Sequence, residues 1–241
     1  MQNVEAWQPT KFEQGADGHW QASRTQVPLT SRLMADRVAL AYGAAIPQHA
    51  RGRLADLGCG TVPLYGLYRD LVEEVTCIDW GDSLHPNRFV DRFADLNQPL
   101  DGLDAQFETV IASDVIEHLH TPEALFASAS RMLVGGGKLI IGVPFLYWLH
   151  EQPHDHHRYT EFALARMCAE AGLEVVSIEP YGGGPEVVAD LLCKMLIGGR
   201  RLRLGFAVLS WLLRRERIQA ISQRTARTMP LGYVLVAQKP V

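Results

Sequence analysis

Leu54-Ala-Asp-Leu-Gly-Cys-Gly-Thr61 reads as a short buried strand, predicted over Arg53 to Leu57, that breaks into a glycine turn. Glycines at 58 and 60 allow a sharp bend, and they let a ligand approach the backbone because no Cβ stands in the way. Asp56, two residues before the first glycine, places a negative charge beside that approach. Such a turn suits a nucleoside that carries a positive charge better than it suits a pyrophosphate.

Outward from this turn the chain alternates short apolar runs with helical patterns. Upstream, Thr30 is predicted to cap a helix reaching about Ala45, with Pro47 just past its end. Downstream, a helix is expected over Leu64 to Leu71, then strands over Val75–Asp79, Arg92–Asp95 and Phe107–Ser113. Thr121-Pro122 starts a helix that should end before Gly135-Gly-Gly137, because threonine can cap and proline fits the first helical position. A strand follows over Lys138–Val143, then a helix capped by Thr160 and stopping at Gly172, then a strand over Leu173–Ile178. Two apolar, basic helical segments come next, at about 185–197 and 205–220, and Gly232–Ala237 reads as the last strand. Apolar strands alternating with amphipathic helices indicate a doubly wound α/β fold with a parallel sheet covered on both faces. The first 29 residues are polar and rich in Gly and Pro, and are expected to form an arm or lid on a single domain spanning 30–241, with the basic helical insertion at about 185–228.

In such sheets the ligand lies outside the carboxyl ends of the strands. The acids and glycines at 56–60, 79, 95 and 114 fall at those ends in chain order. Asp79 follows the glycine turn by about twenty residues, the spacing of an acid that binds ribose hydroxyls. That spacing fits both a nicotinamide dinucleotide and S-adenosylmethionine. A dinucleotide fingerprint also wants a third glycine three residues after the second, and Pro63 stands there. The lysine and Ser/Thr pair of a nucleoside triphosphate loop is missing as well.

The order Asp-Leu-Gly-Cys-Gly, strand-end Asp79, Ala-Asp95-Leu, Ser-Asp114-Val-Ile-Glu-His118-Leu and Gly-Gly-Gly-Lys-Leu-Ile resembles a class I S-adenosylmethionine-dependent methyltransferase, over roughly residues 30–180 and the terminal strand. The resemblance implies a mostly parallel seven-stranded, Rossmann-like sheet whose last strand is antiparallel. It implies that Asp56 and the turn Gly58-Cys59-Gly60 hold the methionine part, that Asp79, with Trp80 beside it, holds the ribose diol, that Asp95 and Leu96 meet the adenine edge, and that Asp114 lines the amino-acid end. Pro63 departs from the small residue common at that position.

Methyl transfer from a sulfonium is an in-line displacement that needs donor and acceptor about 3 Å apart and aligned. A hydroxyl acceptor also benefits from a base, for which histidine is the usual choice. Candidates cluster in His150-Glu-Gln-Pro-His154-Asp155-His156-His157-Arg158-Tyr159-Thr160, with His118 further upstream. His154 is the expected base and Asp155 the second choice. The same loop also reads as a solvated helix cap, or as a metal site from His150, His154 and His156. The aromatic run Phe145-Leu-Tyr-Trp-Leu149 reads equally as a sugar-stacking surface and as core. The run from Val143 through Thr160 is similar to a methyltransferase subgroup associated with bacterial polysaccharide and lipopolysaccharide assembly, which implies O-methylation of a saccharide. In that subgroup two tyrosines more often stand where His156 and His157 stand here. Methylation of another small molecule, such as a quinone or polyketide, and a catalytically silent cofactor-binding protein are the alternatives.

The chain has 241 residues, 47% of them hydrophobic and 21% charged, which suits one well-buried domain. No run of eighteen apolar residues predicts a spanning helix, the N-terminus does not read as a secretory signal, and the four cysteines are scattered as reduced thiols are in a cytoplasmic protein. Net charge is −4, yet residues 198–228 hold eight arginines and one acid. That basic, apolar segment suits peripheral contact with an anionic membrane surface, or a homodimer interface. No arginine–aromatic interleaving predicts a nucleic-acid partner.

Overall fold

The computed structural model describes residues 1–82, 88–195 and 199–241. Its main sheet is built from β3 (Arg53–Leu57), β4 (Glu74–Asp79), β5 (Arg92–Phe93), β6 (Phe107–Ser113), β7 (Leu133–Pro144), β8 (Glu174–Tyr181) and β9 (Gly232–Gln238). The spatial order is β5-β4-β3-β6-β7-β9-β8, a seven-stranded sheet. All pairings are parallel except those of β9, which runs antiparallel to both β7 and β8. This is the Rossmann-like methyltransferase sheet that the resemblance implied.

Strand residues alternate between two cores, because successive side chains point to opposite faces. Leu54, Ile111, Ile140 and Val236 pack on one face under helix α1 (Leu29–His49), with its Val38, Tyr42 and Ile46. Val110, Ala112, Leu139, Ile141 and Leu235 pack on the other with helices α3 (Pro122–Met132) and α4 (Glu161–Glu170). Burial on both faces explains why these strands read as near-continuous apolar runs. Before α1, a hairpin of β1 (Phe12–Gln14) and β2 (Trp20–Ala22) seats Trp7, Phe12 and Ala22 in the α1-side core.

Several boundaries differ from the sequence reading. Helix α1 starts at Leu29, because Pro28 turns the chain one residue earlier and Thr30 lies within the helix rather than capping it. It also runs through Pro47 to His49, where the Ala50 amide donates to Ile46 O at 2.8 Å. Helix α2 (Tyr65–Tyr68) is a single turn. Thr121 makes no side-chain cap; its hydroxyl donates to Asn97 O at 2.8 Å. Helix α3 ends at Met132, before the three glycines as expected, but β7 begins at Leu133 rather than Lys138 and takes the glycines into the strand, with Gly136 at φ 78°. Thr160 does cap α4, its hydroxyl accepting from the Ala163 amide at 3.2 Å.

The basic insertion folds as α5 (Gly184–Met195), α6 (Gly199–Leu213) and α7 (Glu216–Thr225). The end of the first predicted segment, at 196–197, lies outside the described residues. The second, expected as one helix over 205–220, is broken at Arg214–Arg215. Arg215 adopts an extended conformation there, and Leu213 and Ile218 turn inward onto Leu33, Ala189 and Leu202. No described helix is long and apolar enough to cross a membrane.

Candidate functional site

A cavity of about 530 Å³ opens along the carboxyl ends of β3, β4, β5 and β6. Asp56, Gly58, Cys59, Gly60, Asp79, Trp80, Asp95, Leu96, Asp114 and His154 all line it. Residues scattered over nearly one hundred positions therefore converge, because four strand ends meet at one rim.

The glycine turn is bare by necessity. Gly58 and Gly60 have φ of 68° and 52°, in the left-handed region. A Cβ on Gly58 would meet Val115 Cγ2 at 2.5 Å. The turn is tied to the next strand: the Gly58 amide donates to Ile78 O at 2.8 Å, and the Gly60 amide to Asp79 Oδ2 at 2.6 Å. Asp79 also accepts from the Trp80 amide at 2.7 Å, so the carboxylate is held rigidly where it faces the cavity. Bonds from two backbone amides fix the orientation of the carboxylate.

Asp56 sits deeper, 3% exposed, with the Tyr68 hydroxyl donating to its Oδ2 at 2.8 Å. Burial pushes its carboxyl up to about 7, against the bond from Tyr68. A cationic ligand would reverse that shift. Asp95 accepts from the Asn97 amide and side chain, both at 2.9 Å, and Asn97 Oδ1 accepts from the His120 amide at 2.7 Å. Trp80 stands 41% exposed at the cavity wall, with the His154 imidazole edge-on at 5.5 Å between centroids.

A second cavity, of about 460 Å³, adjoins the first. The two share Lys11, Thr61, Asp114, His118 and Glu151. Lys11 comes from the N-terminal segment and donates to Asp114 Oδ2 at 2.9 Å. Asp114 holds φ of 52°, a conformation tolerated by aspartate, which turns the chain at the end of β6. Glu117 and His118, on the short turn that follows, and Tyr147 and His150 also line this second cavity.

The histidine loop is divided. His154 lines the first cavity only. Asp155 lines neither cavity: it takes Arg158 in a two-bond pairing at 2.5 and 2.7 Å and accepts from the His150 amide at 2.9 Å. Burial works against its charge, yet the Arg158 guanidinium and the His150 amide hold its carboxyl well below the usual range. A carboxylate so held is a poor proton acceptor, and Asp155 stands away from both cavities, against Arg158 and the His150 amide. Nor are His150, His154 and His156 brought together. His156 packs on His120 at 4.1 Å between centroids, while His150 turns toward Glu117, with Nε2 3.8 Å from its Oε1. The aromatic run is split too, with Phe145 against Tyr233 and Tyr147 at the second cavity.

Lys11, Asn97 and Glu117 were not foreseen as site residues. Lys11 and Asn97 have no local signature. Glu117 had one, the adjacent Glu-His pair inside the quoted stretch after β6.

Comparison with known proteins agrees with this architecture. A family model described as "Methyltransferase domain" matches residues 29–178. A ubiquinone biosynthesis O-methyltransferase of Xanthomonas oryzae pv. oryzae is 31% identical over 173 residues, covering 66% of this chain and 65% of the relative. The match thus spans just under two thirds of that relative's length. Among solved structures, a SAM-dependent methyltransferase from Archaeoglobus fulgidus superposes with a TM-score of 0.54 at 16% identity, covering 87% of this chain and 97% of the other. Phosphoethanolamine N-methyltransferase 2 of Haemonchus contortus, in complex with S-adenosyl-L-methionine, gives 0.51 at 15% identity, covering 90% and 59%. The acid-lined rim, the bare turn and the β9 reversal are joined by a family match over more than half the sequence, and the chain belongs to the methyltransferase-domain family.

Proposed function

We propose that this protein transfers a methyl group from S-adenosylmethionine, held in the first cavity, to a hydroxyl of an acceptor held in the second. The observation that carries the reading is the meeting of two cavities at Lys11, Thr61, Asp114, His118 and Glu151, with the first lined by acids from four strand ends. Asp79 takes the ribose diol, Asp95 and Leu96 the adenine edge against Trp80 and His154, and Asp56 with the glycine turn the cationic methionine end. The methyl group then points to the junction. Transfer relieves the sulfonium of its charge and gives up a proton from the acceptor hydroxyl. In this reading His118, with the buried Glu117 and His150 at the second cavity, acts on that proton, while His154, the base expected from the sequence, lines the first cavity.

A saccharide is the acceptor that fits best, because Thr10, Lys11, Gln26 and Ser31 offer hydrogen-bonding groups around the second cavity. A phenolic quinone precursor is the second reading. It is favoured by the name of the curated relatives and by the apolar wall of Met34, Ala35 and Val38. Labelled methyl transfer from S-adenosylmethionine into glycan and lipid-quinone extracts tests both. Label in the glycan supports the first reading and label in the quinone the second; label in neither, with donor bound, refutes hydroxyl methylation of these classes.

The insertion brings the enzyme to an anionic membrane surface. On α6, Leu204 is 68% and Trp211 54% exposed, beside exposed Arg200, Arg201 and Arg203. The Arg215 guanidinium lies 3.9 Å from the Trp211 ring centroid. Apolar side chains ringed by arginines match the interface between headgroups and acyl chains.

A further inference from the structure

Glu117, His118 and His150 converge beside the junction of the cavities. Glu117 is fully buried, and neither of its carboxylate oxygens receives a hydrogen bond. Its Oε1 lies 3.7 Å from His118 Nε2 and 3.8 Å from His150 Nε2. One ligand atom from each of the three residues lies within 4.8 Å of the others.

The two imidazoles are turned to present the same nitrogen. His118 Nδ1 is 2.8 Å from the His154 carbonyl oxygen, which can only accept, so Nδ1 donates there and Nε2 is the nitrogen turned to Glu117 Oε1 and Glu151 Oε2, each at 3.7 Å. His150 Nδ1 is 3.3 Å from Asp155 Oδ2, and Asp155 is fixed in turn by Arg158. Histidines that bind metals hold their second nitrogen against a carbonyl or carboxylate in this manner. Both rings thus turn Nε2 toward the Glu117 carboxylate, which carries no hydrogen bond of its own. A carboxylate buried without a hydrogen bond is unfavourable unless something positive lies beside it.

We propose that Glu117, His118 and His150 bind a divalent first-row transition cation. Two imidazole nitrogens and one carboxylate oxygen suit Zn²⁺, Mn²⁺ or their neighbours, and suit Mg²⁺ poorly because it prefers oxygen throughout. Bonds of about 2.0–2.2 Å place neighbouring ligand atoms roughly 3–3.5 Å apart, so the trio, now within 4.8 Å of one another, closes around the ion. Three protein ligands leave further positions open toward the second cavity. There, on the methyl-transfer reading given above, the acceptor hydroxyl would become a ligand; the cation would lower its pKa and fix its oxygen, and the proton would pass to water in the second cavity, the three side chains then serving as ligands in place of a base. Asp155 is then a positioning residue acting through His150.

The test uses the untagged full chain, stripped with a chelator, and titrates it with Zn²⁺ by calorimetry and with Mn²⁺ by electron paramagnetic resonance. One equivalent should bind. Glu117→Gln and His150→Ala should each lower Zn²⁺ affinity at least tenfold, Asp155→Asn should lower it less, and His156→Ala, on the neighbouring exposed imidazole, should leave it unchanged. S-adenosylmethionine binding by the same metal-free variants reports that they are folded. Should Glu117→Gln fail to fold, nitrogen couplings to Mn²⁺ in the wild-type chain decide the matter, and their absence overturns the site. Binding equal to wild type in both Glu117→Gln and His150→Ala, loss in His156→Ala, or no stoichiometric binding also overturns it. Donor binding without cation binding removes the cation site and leaves the methyl-transfer reading standing; cation binding without donor binding does the reverse.

Discussion

Replacing Asp56 by asparagine should stabilise the unliganded protein while abolishing its purpose. The Asp56 carboxyl is buried, accepts one bond from Tyr68, and is pushed up to about 7 from an ordinary 3.8. At about 1.4 kcal/mol per pH unit, holding it ionised costs the empty protein up to ~4 kcal/mol. The sign follows from proton linkage. A carboxyl raised in the folded state contributes stability that is full below pH 3.8 and is lost as pH rises toward 7. Asparagine keeps an oxygen to accept from Tyr68 and has no charge to desolvate. Thermal unfolding of the empty protein should therefore show Asp56→Asn and wild type nearly equal near pH 4. By pH 8 the variant should lead by at least ~1 kcal/mol, some of the full cost being relieved by relaxation and water. Calorimetry with S-adenosylmethionine should show the opposite preference. Wild-type affinity should rise with pH up to about 7, with proton release on binding, and the variant should bind at least tenfold more weakly at every pH. Equal stability of the two proteins at pH 8, or unchanged donor affinity in the variant, would refute the reasoning.

Three further outcomes follow from the same geometry. Asp79→Ala should weaken S-adenosylmethionine binding by roughly 1–3 kcal/mol, measured by calorimetry, because charge-assisted bonds to the ribose are lost. Its turn should also loosen, since the Gly60 and Trp80 amides lose their acceptor. His154→Ala should raise the dissociation constant for the donor a few-fold and leave saturated turnover within about threefold, because the ring is placed against Trp80 in the first cavity; a turnover loss of a hundredfold with donor affinity intact would restore it as the base. Vesicles with anionic headgroups should sediment the protein at low salt and release it at high salt, and Trp211→Asp should reduce the bound fraction; salt-independent self-association lost in the same variant would assign α6 to a dimer instead.

Much of this was legible because it is local. Strands β3 and β6 fall on the residues predicted, since an apolar run bounded by turn residues needs no tertiary information. The row Asp56, Asp79, Asp95, Asp114 was readable for the same reason: each acid lies within two residues of a strand's carboxyl end, and those ends meet in a doubly wound sheet. What escaped depends on distant packing. Lys11 joins Asp114 only because Trp7 and Phe12 anchor the N-terminal segment under α1. The break between α6 and α7 has no Pro or Gly to announce it, and is drawn by Leu213 and Ile218 turning onto Leu33. Gly135-Gly-Gly137 looks like a terminator by composition, but pairing with the residues around Lys239 holds it as strand. Choosing among four histidines in one loop needed the direction of each ring, which spacing alone does not encode.

The reversed strand β9 has a consequence for biosynthesis. It lies between β7 and β8, with Lys138 opposite Gln238 and Tyr181 opposite Gly232. Until residues 232–238 leave the ribosome, both neighbours present raw edges, and β8 has nothing to dock against. Closing a loop of one hundred residues also delays this step relative to the compact pairing of β3, β4 and β6. The nascent chain should thus pass through a stage in which β3, β4 and β6 are already paired while β7 and β8 still lack the strand that joins them. That interval is when chaperone capture or edge-to-edge aggregation would be most costly.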